Sequence, residues 1–473
     1  MSHTHLDKIQ AVNLGSFYTP DFAVQIAQTM LLNALNQAGV NPKDCTLLDS
    51  SCGYGNFLDF SGVINSVAKS QHIDFQSRDF ALDFASHNFT IQNLAQNPAQ
   101  DLSQDFADFA LKIGIDIDKT AIEIAKSNFN PTKSTRTKQD NINQNLMQNP
   151  QATNAAHANQ IHAQNPLQNL THTVQDSTNH NPANPASNPP LFLHQNALLN
   201  VSRKAFKIPL DTPLAVIGNP PYNDKTSIVQ NKLKDKIYAL DSHLKCRDIG
   251  ASFLLSFDAL KADFICVLHP LSYLIKETNF RALKPFFTHY ALQDSLIISS
   301  RIFTPKSLSF FPIIIALYTR KKTPQTLEFS EVKRLRFHTI EGKSFALNDF
   351  DFIARYIDKY PNKSRVPNEK SVALFYTLRD INALRRSKTF LQKRITNAIN
   401  VSREKFSLYC YVDVFKQMID KVPYYLGNCD VLIDFEAFKI LESQFVECAK
   451  SKIITPSITR YFENLLGEHY ADC

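Results

Sequence analysis

Several common signatures are missing from this chain. None of its eight cysteines forms a C-x-x-C pair or joins a Cys/His set with metal-ligand spacing, so no zinc site or disulfide framework is expected and the thiols read as reduced and mostly buried. No apolar run approaches the length that spans a bilayer, and the opening MSHTHLDKIQ lacks the charged-then-apolar layout of a secretory signal. The expected location is therefore the cytoplasm, with no membrane partner. The dinucleotide fingerprint GxGxxG is also absent. What is present is a chain of 473 residues, 44% hydrophobic and 20% charged, with a formal net charge of +7. That is enough for two or more domains, with a basic excess that suits a polyanionic partner.

Along the first 320 residues, short apolar runs alternate with helical periodicity. FAVQIAQTMLLNALNQ, after Thr19 and Pro20, places apolar residues at helical spacing. CTLLDSSCGYGNFLDF reads as a buried strand, a glycine turn and a helix, and LKIGIDID precedes the helical KTAIEIAKSNF. Further strands are expected at LFLHQ, LAVIG, FICVLHP and SLSFFPIIIALYTR, with a helix at ASFLLSFDALKAD. This alternation predicts a doubly wound, Rossmann-like α/β sheet. Residues 131–190, dominated by Asn, Gln, Ala, His and Pro, read as a flexible insertion, and the loose spacing of His157, His162, His172 and His180 carries no metal site. A Lys-rich segment at 223–247 reads as a mobile loop. From about Lys321 the pattern becomes irregular and basic, with RKK, KRLR and RR, so a boundary is expected there, dividing 1–320 from 321–473.

The run LAVIGNPPYND poses the sharpest question, because an apolar strand there ends in Asn219, two prolines and Tyr222. Each proline fixes its own φ and restrains the residue before it. The result is a stiff corner holding an amide, a carbonyl and an aromatic face at a strand's carboxyl end, where open α/β sheets bind ligands. Such a corner suits a flat ring bearing an amine. Upstream, Asp49, Cys52, Gly53 and Gly55 form a turn that lets a ligand approach the backbone, and Asp116 follows a strand where a carboxylate can accept ribose hydroxyls. Asn196 follows LFLHQ and could present its amide to an adenine edge.

In order and content, residues 13–320 resemble the S-adenosylmethionine-dependent N6-adenine DNA methyltransferases in which cofactor motifs come first and a target recognition domain last. GSFYTP resembles that family's first cofactor segment, with Thr19 and Pro20 near the methionine end of S-adenosylmethionine, and DSSCGYGNF resembles its glycine loop. Asp116 matches the ribose ligand, while Asn196 stands where the family usually has Asp. NPPY matches the catalytic motif. The resemblance implies that Asn219 and the Pro220 carbonyl orient the target amine and that Tyr222 stacks on a flipped adenine, with Phe303 (or Phe310) on its other face. It also implies a double-stranded DNA substrate and a restriction-modification setting, with a separately encoded endonuclease as a potential partner. Little sequence precedes GSFYTP and about a hundred and fifty residues of basic sequence follow the catalytic half, the order expected when a DNA-reading region is appended. SEVK and IEGK carry no suitably spaced upstream Pro-Asp, so no fused nuclease is expected. The alternatives are a methyltransferase acting on RNA or protein glutamine and a non-catalytic DNA-specificity subunit.

Overall fold

A computed structural model describes residues 19–61, 108–129, 189–222, 239–303, 310–359, 366–376 and 380–471. The Asn/Gln-rich stretch at 131–188, Gly15 to Tyr18 of GSFYTP and residues 223–238 of the Lys-rich segment lie outside them.

The expected Rossmann-like α/β sheet forms. Its strands are β1 (Thr46–Asp49), β2 (Leu111–Asp116), β3 (Leu191–His194), β4 (Leu214–Gly218), β5 (Phe264–Pro270), β6 (Tyr290–Ser299) and β7 (Pro312–Arg320). They lie in the order β3-β2-β1-β4-β5-β7-β6. The first five pair in parallel, whereas β7 runs antiparallel to both β5 and β6. Successive side chains in these strands enter two different cores. Leu48, Val216, Ile265 and Ile314 join one, while Leu47, Ala215, Cys266 and Ile313 join the other. A strand buried on both faces needs continuous apolar sequence, and LAVIG and FICVLHP have it. Helix α1 (Asp21–Gln37) packs on β4, β5 and β7, and α2 (Lys119–Asn128) packs on β2 and β3. Helix α3 (Ile249–Ala259) lies on the opposite face from α1, with its residues in the other core.

Strand β6 was not expected from the sequence. Its run of apolar residues is broken at Gln293, Asp294 and Ser295, where a bulge between Leu292 and Asp294 shifts the register against β7. A bulge inserts one residue and destroys the period-two pattern.

After β5 come three short helices, α4 (Ser272–Ile275), α5 (Glu277–Ala282) and α6 (Lys284–His289). The last strand of the seven-stranded sheet in chain order, β7, ends at Arg320. Beyond it lie the pair β8 (Phe337–His338) and β9 (Ser344–Phe345), and a three-stranded sheet of β10 (Ala373–Tyr376), β11 (Phe390–Leu391) and β12 (Ala398–Val401) with β10 in the middle. Among the helices there are α7 (Phe329–Val332), α8 (Ile381–Arg386), α9 (Phe406–Gln417), α10 (Phe435–Ile440), α11 (Glu442–Ser451) and α12 (Pro456–Leu466). The hydrophobic core does not stop at Arg320. A single buried cluster runs from Val216, Ile265 and Ile314 through Phe337 and Phe345 to Phe375, Tyr411 and Phe462. The two regions are also joined by the Ile340 N–H donating to the Ile297 carbonyl at 2.9 Å, by Phe280 against Phe329 at 5.5 Å, and by an ion pair between Lys276 and Asp380.

Candidate active site

The carboxyl ends of β1, β2, β3 and β4 form one edge of the sheet, and the residues singled out from the sequence collect there. The turn after β1 is pinned to the end of β2: the Cys52 amide donates to the Ile115 carbonyl and the Gly53 amide to Asp116 Oδ2, both at 2.9 Å. Asp116 Oδ1 accepts from the Asp118 amide at 2.8 Å. These donors orient the Asp116 carboxylate, yet burial still raises its affinity for a proton. Gly53 and Gly55 have φ of +49° and +89°. At Gly55 a Cβ would also meet the Phe129 ring at 2.9 Å, so this turn requires glycine. The Cys52 thiol is buried behind the turn, which together with Asp49 and Asp116 pushes it well above the usual range, making it a packing residue and not a nucleophile.

Asp49, the last residue of β1, is fully buried. Its Oδ1 accepts the Ser51 amide at 3.1 Å, and Oδ2 has no partner. Burial, with a smaller push from Asp116, raises its carboxyl to about 8. Gly218, at the end of β4, makes room for it: a Cβ there would lie 2.6 Å from Asp49 Oδ1, and φ is +151°. Glycine at the end of LAVIG is thus required by the neighbouring carboxylate.

The NPPY corner begins at the next residue. Asn219 Nδ2 donates to Thr19 Oγ1 at 3.1 Å, joining the segment before α1 to the NPPY corner across 200 positions. Its Oδ1 is buried and unpartnered. Pro20 caps α1, its carbonyl accepting from Ala23 and Val24. Tyr222 is half-buried and meets Phe311 edge-on at 6.4 Å. Burial pushes its phenol well up, with the Asn219 amide opposing and Asp248 adding.

The second aromatic has several candidates close together. Phe303, at the end of the turn Ser300–Ile302, packs on the same core as Tyr222, Ile302 and Phe311. Phe310 instead lies under the Arg301 guanidinium, 5.1 Å away. Asn196 is tied to main chain at both ends: Oδ1 accepts the Leu198 amide at 2.9 Å, and Nδ2 donates to the Ala239 carbonyl at 2.5 Å. Its amide builds the turn after β3.

Sequence reasoning missed four features of this edge. Gln195, beside Asn196, has a buried Nε2 with no partner, and Ser51 has a buried Oγ with none. Ile117, following Asp116, is 44% exposed and offers an apolar face beside the carboxylate. Behind the corner, Tyr273 donates to Asp248 Oδ1, which also accepts the Gly250 amide at 2.9 Å. A Cβ on Gly250 would meet Tyr273 Oη at 2.5 Å and the Tyr222 Cβ at 3.0 Å. The start of α3 is therefore pressed against the corner. Tyr273 in turn stacks on His269, whose Nε2 accepts from Tyr318 Oη at 2.8 Å while Nδ1 donates to the Pro270 carbonyl. Burial lowers His269 to about 4 and keeps it neutral.

Taken together, seven buried side-chain polar atoms lack a partner among the described residues, and four of them (Asp49 Oδ2, Ser51 Oγ, Gln195 Nε2 and Asn219 Oδ1) lie at or just past the ends of β1, β3 and β4. Buried polar atoms are nearly always satisfied. Their concentration at the edge where open α/β sheets bind ligands marks a polar ligand site. Among the described residues no group of His, Cys, Asp and Glu could hold a metal ion, and no helix is long and apolar enough to cross a membrane.

No protein-family model and no curated protein matches the chain. Solved structures align to it at low identity. A Listeria monocytogenes protein assigned to the class I S-adenosylmethionine-dependent methyltransferases is 13% identical over 72% of this chain and 68% of its own, with a TM-score of 0.33. The type I restriction-modification methyltransferase subunit of Streptococcus thermophilus is 13% identical over 71% of this chain and 48% of its own, at 0.32. The type IIL restriction-modification enzyme MmeI, in complex with DNA, is 14% identical over 80% and 47%, at 0.34. The chain thus spans about half the length of these two restriction-modification proteins. The fold assignment rests on the strand order itself.

Proposed function

We propose that this chain is an S-adenosylmethionine-dependent DNA methyltransferase that modifies N6 of a flipped adenine, as the modification enzyme of a restriction-modification pair. The observation that carries the reading is the buried, unpartnered Oδ1 of Asn219, held in place through its own Nδ2 and followed by the Pro220 carbonyl.

An adenine amine is a weak nucleophile because its lone pair is delocalised into the ring. Two rigid acceptors, Asn219 Oδ1 and the Pro220 carbonyl, would each take one N6 hydrogen and leave the lone pair directed out of the plane. Both acceptors are placed before the reaction, so positioning and stabilisation of developing positive charge supply most of the effect. Tyr222 offers the ring on which the flipped base stacks, with Phe303 as the opposing face.

The cofactor site fits S-adenosylmethionine by its donor set. Asp116 would accept the ribose hydroxyls, the turn at Gly53 and Gly55 would let the ligand lie against the backbone, Ile117 and Gln195 would meet the purine, and Asp49 Oδ2 would accept a buried ammonium. Thr19 and Pro20 border the methionine end. When bound, the cofactor supplies an electrophilic methyl group on its sulfonium. The test is incubation of the full chain with methyl-labelled S-adenosylmethionine and DNA, followed by nucleoside analysis. Label is expected in N6-methyladenine with the parent and not with Asn219→Ala; a protein that binds the cofactor yet labels RNA or protein instead of DNA would overturn the substrate assignment.

A further inference from the structure

RKK, KRLR and RR are the conspicuous basic runs beyond the large sheet, but part of their charge is already paired. The Arg385 guanidinium pairs with Asp420 and donates to the Ile419 carbonyl, so its charge is spent within the protein. Arg336 of KRLR likewise faces Asp349 at 3.3 Å.

The chain around Arg385 has a different property. Residues 381–403 contain six cations, Arg385, Arg386, Lys388, Lys393, Arg394 and Arg403, and no Asp or Glu. At the middle of this stretch, 392–396 is exposed throughout and connects β11 to β12. Arg394 donates to the side-chain oxygens of Asn368 and Asn400, and Asn400 Nδ2 donates to the Val366 carbonyl at 2.6 Å. The guanidinium is thus held in a fixed orientation by two neutral amides, which leave its charge uncompensated. Beside it Lys393 is exposed, and Ile395 presents a large apolar side chain at 47% exposure. The acids around the stretch are Asp380, which pairs with Lys276, Asp413, which accepts from Thr389 and pairs with Lys452, Glu369, next to Asn368, and Glu404, next to Arg403. A cationic loop with an oriented arginine and an exposed aliphatic tip has the donors and the apolar contact that phosphates and base edges call for.

Its attachment explains why it would serve the active site. Strand β5 is parallel to β4, so its end lies on the same sheet edge as the NPPY corner. Just beyond that end, Lys276 pairs with Asp380, whose Oδ1 caps α8 by accepting the Ala383 amide at 2.6 Å. Helix α8 begins at the residue after Asp380, so the basic stretch is tethered at its start to the segment that follows β5. We infer that residues 381–403, centred on Lys393, Arg394 and Ile395, form the surface that holds duplex DNA while an adenine enters the site. This rests on the DNA reading above.

The experiment measures binding of the full chain to a mixed-sequence DNA duplex over a salt series, alongside S-adenosylmethionine affinity and N6-methyladenine formation. The double variant Lys393→Gln/Arg394→Gln should lose about two units of salt-dependence slope and roughly 10- to 100-fold in duplex affinity at low salt, with cofactor affinity unchanged. Arg385→Gln should leave the slope as in the parent. If the amide bonds of Arg394 prove necessary for folding, the single Lys393→Glu carries the test, with loss of at least one slope unit expected. A parent that methylates DNA and variants that match it in slope and affinity would overturn this surface and leave the function standing. A parent that binds S-adenosylmethionine but neither binds nor methylates DNA would remove the function, and this surface with it.

Discussion

The edge of the large sheet and the region beyond Arg320 treat their buried polar groups in opposite ways. At the edge, Asp49, Ser51, Gln195 and Asn219 each keep one buried atom without a partner. Beyond Arg320, buried Asp413 accepts from Thr389 Oγ1 at 2.5 Å and from Lys452, Tyr411 Oη donates to the Leu432 carbonyl at 2.6 Å, and Tyr461 Oη donates to the Asp434 carbonyl at 3.0 Å. The exceptions there, Asn382 and Asn428, flank Gly427, against which the Asn382 amide is packed. An unmade buried hydrogen bond costs about 1–3 kcal/mol. A fold that keeps four of them at one edge and satisfies most elsewhere is built to have that edge completed by a ligand. What the second region leaves without a charged partner are exposed cations such as Lys393 and Arg394, which suit a large, polyanionic partner.

The most severe way to break the contrast is to separate the two regions. Because one core runs through both, a chain ending at Arg320 would expose Ile297, Ile314 and Phe280 to water. It should fail to fold, read as loss of soluble protein or of near-ultraviolet circular dichroism. A truncated product that is soluble, cooperative on heating and binds cofactor would show the regions to be independent.

Next in size is removal of the unpartnered acceptor. Asn219→Ala should lower kcat by roughly 100- to 1,000-fold, the range seen when one preorganised polar group is removed from an active site. Cofactor affinity should stay within a few-fold of the parent, measured by calorimetry. An equal loss in both would place Asn219 in cofactor binding alone.

Much of the edge was legible from sequence, because its strands are short, largely apolar and end in, or are followed at once by, a polar residue. Asp49, Asp116 and Asn219 could be singled out as candidates this way, since each stands at or just past a strand end. What escaped depends on contacts between distant segments. Asn196 looked available until Ala239 took its Nδ2, and that leaves Gln195 as the open group. Asp248 and Tyr273 come from separate elements, and nothing local says that they meet. Strand β6 was hidden by its bulge, and β10 to β12, at two to four residues each, are too short for periodicity to register.

Tyr222 sharpens the comparison at a smaller scale. Base stacking on an aromatic contributes about 1–3 kcal/mol, so Tyr222→Ala should lower kcat/KM for DNA by roughly ten- to a hundredfold. Tyr222→Phe, which keeps the ring, should lose far less; equal losses would assign the role to the hydroxyl. Tyr273→Phe tests the support behind it. The hydroxyl lost there bonds Asp248 behind the corner, so a drop of roughly three- to tenfold in kcat is expected, about the effect of one hydrogen bond. The KM for S-adenosylmethionine should not move.

The smallest effect, and the most specific to the unsatisfied edge, is a proton. Asp49 is raised to about 8 chiefly by burial, so in the ligand-free protein it is mostly protonated at pH 7. An ammonium bonded to Oδ2 would favour the carboxylate, and binding at pH 7 should therefore expel close to one proton. Calorimetry in two buffers of different ionisation enthalpy reads that number directly, and affinity should rise with pH up to about 8 and level off above it. Folding responds in the opposite sense. A carboxyl whose native pKa exceeds its unfolded value of about 3.9 keeps its proton in the native state and loses it on unfolding, so its contribution to stability is full below about pH 4 and declines as pH rises to about 8. Asp49→Asn keeps the shape and removes the titration, so it should abolish proton release and flatten that part of the stability profile. Buffer-independent binding by the parent would mean that Asp49 does not meet a cation, and would move the ammonium to another group at the same edge.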